Sequence, residues 1–387
     1  MDFIFRCRLV CVFVVLVFFG KANAQQDKMQ DSLGVQREIL DSIRRKNRLV
    51  DSIAINVHLQ AHVSYFSNTF ELGENVPRFG TSFFRNVGKK TRVFARLEYG
   101  LNLAQGTRFN NNANSKAEFA SSPFQVPDPF TQRLAFLGIE HRELGSISFG
   151  KQWGAYYDIA GFTDAFTVFG SSGVDVYAGN TDGGWKGTGR ADVAVVYRNN
   201  FRKLYFSLQT QLFGTNTNYG AAVNYRFNRN WNVGVGWNMA NIPSRFIEVL
   251  GNDKASSHNL IIGYQYQDSR LYSALTMAYI EDVYRVIEED NIISFPVYGV
   301  EFLNRYTLTP RIKIEGGLNA QWEIKDDTYY NGDYRLLQFY AGMNYYFGEL
   351  FSVYIQGRLN DSRFLPPRAS SDVIIVGMSF DFIKGLF

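Results

Sequence analysis

The chain has 387 residues, with 40 Lys and Arg against 36 Asp and Glu, a formal net charge of +4. So small an excess excludes a protein that meets nucleic acid or an anionic surface through its overall charge. Aromatic residues make up 16% and glycines number 34, yet the mean hydropathy is only −0.18; that mismatch suits strands that show alternate residues to lipid and to water.

At the start, Arg6 and Arg8 precede an apolar run from Leu9 to Gly20, followed by the small-residue site Ala22-Asn23-Ala24. This predicts a secretory signal peptide over residues 1–24. A dozen apolar residues are too few for a membrane helix, which needs about 20. Both cysteines, Cys7 and Cys11, fall inside it, so the exported chain is expected to hold no disulfide and no thiolate metal site. Its removal takes away Asp2, Arg6, Arg8 and Lys21 and leaves a net +2. Residues 25–53 are charged and free of aromatics, with apolar positions such as Leu33, Ile39, Leu40 and Ile43. They read as a polar, amphipathic N-terminal periplasmic segment.

From residue 54 to 387 the hydropathy period is two. In 311–323, Ile312, Ile314, Leu318, Ala320 and Trp322 share one face; Lys313, Glu315, Asn319, Gln321 and Glu323 share the other. Lipid outside and water inside account for both faces. Short turns are expected near 88–91, 142–145, 199–203, 227–230, 267–270, 308–311 and 347–350. Between them lie longer polar stretches at 105–131, 155–188, 241–256, 281–295, 325–333 and 360–371, and shorter ones near Asn68–Arg78 and Asn216–Thr217. Seven turns alternating with eight loops imply sixteen strands with both ends on the short-turn side. The fold expected is therefore all-β: a transmembrane antiparallel β-barrel with short periplasmic turns and long outer loops. Tyr65, Tyr197, Tyr225, Phe227, Trp231, Tyr264 and Phe347 fall near strand ends, where aromatic girdles sit. Either Phe382 or Phe387 is the terminal aromatic after the last alternating stretch.

One stretch is more specific. It comprises Arg133 to Gly138, Leu144 to Lys151, Tyr157 to Asp164, Gly189-Arg190 and Tyr197-Arg198-Asn199. In order, spacing and turn positions this resembles the general (non-specific) bacterial outer-membrane porin family over about 70 residues. The resemblance implies that the third loop folds into the lumen and that barrels associate as a homotrimer. It carries the loop carboxylate onto Asp164 and the basic wall onto Arg85, Arg133 and Arg190. Lys151 supplies a further base just after the fifth strand. The second loop carboxylate of the family falls on Val168. Half the usual acidic pair is missing, so the expected pore has weak or anion-leaning selectivity.

The residues themselves agree with a constriction at 155–188, because so long a loop usually carries function. It holds Asp158, Asp164, Asp175 and Asp182 against Lys186. An acidic loop across a basic wall would set up a transverse field that sorts ions. By parity Arg92, Arg96, Glu98, Arg226, Glu301, Arg305, Lys313, Glu315 and Arg358 also point inward.

Other chemistry finds little support. His58 and His62 could face the same way on a strand, but no third ligand at sensible spacing follows. His141 and His258 sit at a turn and a loop end, with no nucleophile and base arrangement. No cofactor, metal site, nucleic-acid partner or enzyme activity is expected. The protein is expected in the bacterial outer membrane, in contact with lipid, ions and small hydrophilic solutes. The alternatives are a substrate-specific, anion-selective channel, then a barrel hydrolase or an adhesin. The inward mixture of Glu, Asn, Gln and Arg argues against the cationic ladder of a dedicated anion channel.

Overall fold

The computed structural model describes residues 50–75, 77–101, 130–170, 172–174, 190–211, 218–242, 247–248, 256–288, 291–324, 329–364 and 371–386. The expected signal peptide, residues 25–49 and Phe387 fall outside them. The barrel begins with β1 (Ser52–Phe66), so the boundary expected after residue 53 lies inside a strand. The second crossing, β2, has two segments, Thr69–Glu74 and Arg78–Asn86, both paired with β1. Next come β3 (Thr91–Leu101), β4 (Phe130–His141), β5 (Gly145–Trp153), β6 (Arg190–Phe201), β7 (Leu204–Gln211) and β8 (Asn218–Arg226). β9 (Trp231–Asn241), β10 (Ser256–Gln267), β11 (Leu271–Glu288) and β12 (Asn291–Thr309) follow. The last four are β13 (Ile312–Glu323), β14 (Arg335–Tyr346), β15 (Phe351–Asn360) and β16 (Val373–Leu386).

Each strand pairs antiparallel with the next, and β1 pairs with β16 from Ile53↔Leu386 to Tyr65↔Ile374. Among the described residues this is a closed sheet of sixteen crossings. Closure matters because an open sheet edge in hydrocarbon would leave a row of backbone groups without partners. Alternation decides which face is which. Leu137, Ile262, Met277 and Ile355 are exposed on the outer wall, while Gln209, Asn238, Gln321 and Gln356 are buried within.

The seven short turns all form where expected, and side chains close several of them. Asn228 Oδ1 accepts from the N–H groups of Asn230 and Trp231 at 2.8 and 3.1 Å. Thr309 Oγ1 accepts from Arg311 and Ile312 at 3.2 and 3.1 Å. Such short polar side chains mimic a backbone turn.

Two expected loops are corrected. Asn68–Arg78 is not one loop: the chain turns at Ser67 and Asn68, both with positive φ, and then runs as strand over Thr69–Glu74 before a break ahead of Arg78. The stretch 281–295 is mostly hairpin, since β11 continues to Glu288 and β12 resumes at Asn291. Acidic composition hid a strand pair whose register shifts beyond Ile280, which scrambles the two-residue period.

The apolar core lies inside the barrel and off its axis. After β5 the chain turns inward through a short helix, α1 (Tyr157–Ala160), and lies on the inner faces of β8 to β10. Ile159 packs over glycines 234, 236 and 263; a Cβ on Gly234 would sit 2.3 Å from Ile159 Cδ1. Tyr156, Ile159, Phe162, Val174, Ile261 and Tyr272 form one buried cluster. Val168, Phe169, Tyr340, Tyr354 and Ile375 form another.

Candidate pore constriction

Irregular backbone at membrane depth needs a partner for every N–H and C=O, and the inner wall supplies them to the loop after β5. The Glu301 carboxylate is fully buried and accepts from Thr163 Oγ1 at 2.6 Å and from the N–H groups of Gly173 and Val174 at 2.8 and 3.2 Å. Glu315 accepts from Thr167 N at 3.0 Å and from Arg305 Nε at 3.1 Å. Arg305 also donates to the Ala165 carbonyl. The Thr167 carbonyl takes bonds from Gln60 at 3.0 Å and Asn75 at 2.8 Å, and Gln321 reaches the carbonyls of Ser172 and Gly173. Described contacts of the loop thus go to β6–β16, to β1 and to the break in β2.

The loop's two described carboxylates have different fates. Asp158 accepts from Tyr205 Oη at 2.7 Å and from Arg198 Nε at 3.3 Å, and Arg198 also holds the Trp153 carbonyl at 2.6 Å. Its charge is neutralised where the loop leaves the wall. Asp164 accepts from Tyr157 Oη at 2.7 Å. Tyr157 in turn stacks on Trp153, with ring centroids 4.0 Å apart and planes 13° from parallel, and the Arg190 guanidinium lies 5.3 Å from the Trp153 ring centroid. A hydrogen bond, a ring stack and a cation–π contact therefore join Asp164 to Arg190. Asp175, Asp182 and Lys186 lie outside the described residues.

Facing this side of the loop is the inner wall of β2–β4. Arg133 Nε meets Glu98 Oε1 at 2.9 Å, and Arg96 Nη2 meets Glu98 Oε2 at 2.8 Å. Arg78, two residues along β2 from Gly80, the partner of Glu98, interacts electrostatically with both Glu98 and Tyr157. Two guanidinium groups pair with one carboxylate, and a third, that of Arg78, lies in electrostatic reach of it and of Asp381. Arg133 reaches the inner side because of a bulge: Glu98 pairs with Leu134 and Tyr99 with Gln132, leaving residue 133 between. Its side chain crosses Gly100, where a Cβ would sit 3.3 Å from Arg133 Cδ. Bulges of this kind re-aim a side chain.

The remaining expected site residues are elsewhere. Arg85 shares the outward register with Phe83 and its partner Val93, and pairs with Asp51 at 3.4 Å near the short-turn end. Lys151 stands opposite Ala135, in the register of the exposed Ile147 and Phe149. Val168 is 2% exposed and packs in the cluster with Phe169, Tyr340 and Ile375, an apolar place where a carboxylate would lack a partner. His58 holds Asp381 at 2.5 Å and Gln60 at 3.1 Å, and His62 holds Tyr354 Oη at 3.3 Å. Among the described residues no group of three acidic, His or Cys side chains could hold a metal ion.

The profile of the Gram-negative porin family matches residues 51–361. The chain belongs to the Gram-negative porin family. Among curated relatives, outer membrane protein S2 of Salmonella typhi is 25% identical over 298 residues, covering 65% of this chain and 75% of the relative. Porin OmpD of Citrobacter koseri is 26% identical over 292 residues, covering 67% and 75%. Solved structures share the fold: OmpF of Salmonella typhi has a TM-score of 0.67 at 16% identity over 85% of this chain and 97% of that one. An anion-selective porin from Comamonas acidovorans gives 0.61 at 14% over 86% and 99%. A trimeric form of Vibrio cholerae OmpT gives 0.61 at 14% over 85% and 99%. This porin is a passive-diffusion channel of the bacterial outer membrane, crossing it with many strands, and is not an enzyme.

Proposed function

We propose that the pore is narrowest between Asp164 on the loop and the wall carrying Arg78, Arg96 and Arg133, and that it passes small hydrophilic solutes with a weak or anion-leaning preference. One observation carries the reading: Arg96 and Arg133 both pair with Glu98, with Arg78 in electrostatic reach of the same carboxylate, while Asp158 is already spent on Arg198. Positive charge then exceeds negative charge on the surfaces that ions pass closest to, and close-range charges set ion preference. Arg190 belongs to the same zone through Trp153 and Tyr157; Arg85 and Lys151, in the outward register, lie outside it. The barrel associates as a homotrimer, which the trimeric Vibrio cholerae OmpT supports by likeness of fold.

The test is the zero-current potential of the refolded protein in a planar bilayer across a tenfold KCl gradient. A potential of the sign set by chloride, or one near zero, is the expected result. Strong potassium selectivity overturns the reading.

A further inference from the structure

The same wall carries a feature that ion selectivity does not use. Along the inner register of β2, β3 and β4, moving away from the short turns, Asn86, Arg92 and Glu140 make one row, then Phe84, Phe94 and Gly138, then Ser82, Arg96 and Phe136, then Gly80, Glu98 and Leu134. Phenyl rings therefore sit between two levels of arginine. The Arg92 guanidinium lies 5.4 Å from the centroid of Phe84 and binds Glu140 through Nε at 2.7 Å. Phe94 and Phe136 meet edge to face, with centroids 6.2 Å apart and planes at 80°. Phe94 can lie flat because residue 138 is glycine; a Cβ there would fall 2.5 Å from Phe94 Cζ.

Rings on the far wall, such as Tyr272 and Tyr340, are buried under the loop. Phe94 and Phe136 remain partly exposed on the inner face. Above them the Arg96 guanidinium is one-fifth exposed and gives Nη2 to Glu98, while its Nε–H is buried with no acceptor. A water-facing wall has no packing need for apolar rings beside a guanidinium whose donors are incompletely met.

We propose that this half of the basic wall is a weak binding site for small aromatic anions, such as arene carboxylates and sulfonates. The arene lies against Phe94 and Phe136 and the anionic group meets Arg96, with Arg92 as the next cation along the path. The channel then retains aromatic anions over aliphatic anions of equal charge. This rests on the anion-leaning reading above.

The probe pair is benzenesulfonate and methanesulfonate, added to each side of refolded single channels in turn. Benzenesulfonate should reduce the current at a concentration about tenfold below that needed for methanesulfonate, with Phe94→Ser and Phe136→Ser each weakening the effect roughly threefold, the scale of one aromatic contact. Equal block by the two wild-type probes overturns the site, whether or not the variants fold. Block that persists undiminished in folded Phe94→Ser and Phe136→Ser channels overturns it as well. The KCl potential contains no arene, so cation preference there defeats the selectivity reading, whereas chloride preference without arene discrimination defeats only this site.

Discussion

Replacing Glu301 by Gln keeps the shape of the side chain and removes its charge and one of the two acceptor oxygens that hold the arms of the loop. In the native barrel Oε2 accepts from Thr163 Oγ1 at 2.6 Å, and Oε1 accepts from Gly173 N at 2.8 Å and Val174 N at 3.2 Å. An amide can turn its oxygen to the two backbone donors. Its NH2 then faces the Thr163 hydroxyl, which must change from donor to acceptor and give its proton to Ala160 O or Thr276 Oγ1. Hydrogen bonds to a charged group contribute about 1.5–3 kcal/mol each against about 1 for neutral ones, so exchanging three charged bonds for neutral ones costs about 1.5–6 kcal/mol of docking. That raises the undocked population roughly tenfold or more. Single-channel recording should show excess open-channel noise and brief steps of higher conductance, and limited proteolysis should cut near Thr163 faster, while the barrel stays folded. Quiet channels of native conductance, with native protease resistance, would refute the idea that Glu301 pins the loop.

Val168→Asp restores the family's second carboxylate in sequence but buries it among Phe169, Tyr340 and Ile375, at a cost of several kcal/mol for an unpaired charge. It should give a noisy, wider channel; a quiet channel with sharply raised cation preference would contradict the packing. Asp158→Asn strips Arg198 of its counter-charge, and breaking a buried pair costs about 3–5 kcal/mol. Thermal unfolding in detergent should shift down clearly for Asp158→Asn and hardly for Asp164→Asn; equal shifts would contradict their different roles. In the turn after β10, Asp268 is partly desolvated, which raises its pKa. The N–H groups of Leu271 and Arg270 and the Tyr266 hydroxyl outweigh this and hold the carboxyl below the usual range. With the folded pKa depressed, the turn gains stability above the ordinary carboxylate pKa and loses it as pH falls through the folded value. A carbon-13 titration should place the Asp268 midpoint below that of a model aspartate; a midpoint at or above it would contradict the turn geometry.

The barrel was legible because lipid enforces the two-residue period on every crossing, and because short turns need Asn, Asp, Thr and Gly at fixed places. Legibility failed where the period was broken. The register shift beyond Ile280 made the β11–β12 hairpin read as a loop, and the interruption before Arg78 hid a strand and with it one of the three guanidinium groups around Glu98. Parity found Glu301 and Glu315 facing inward but could not see that they hold the loop, since Thr163 and Gly173 lie more than a hundred residues away. Arg133 reached the wall through a bulge, which strict alternation would have missed. Arg85 carried no such irregularity, and its outward register follows from that.

The most direct test of the constriction is Asp164→Cys. Cys7 and Cys11 are the chain's own cysteines, so in protein refolded without residues 1–24 position 164 carries the one thiol. The permeability ratio is measured in a KCl gradient before and after modification with a cationic, then in a separate sample an anionic, methanethiosulfonate. A constriction at this carboxylate predicts that the cationic adduct moves the ratio toward chloride and the anionic adduct toward potassium. Complete modification by mass spectrometry with an unchanged ratio for both adducts would contradict it.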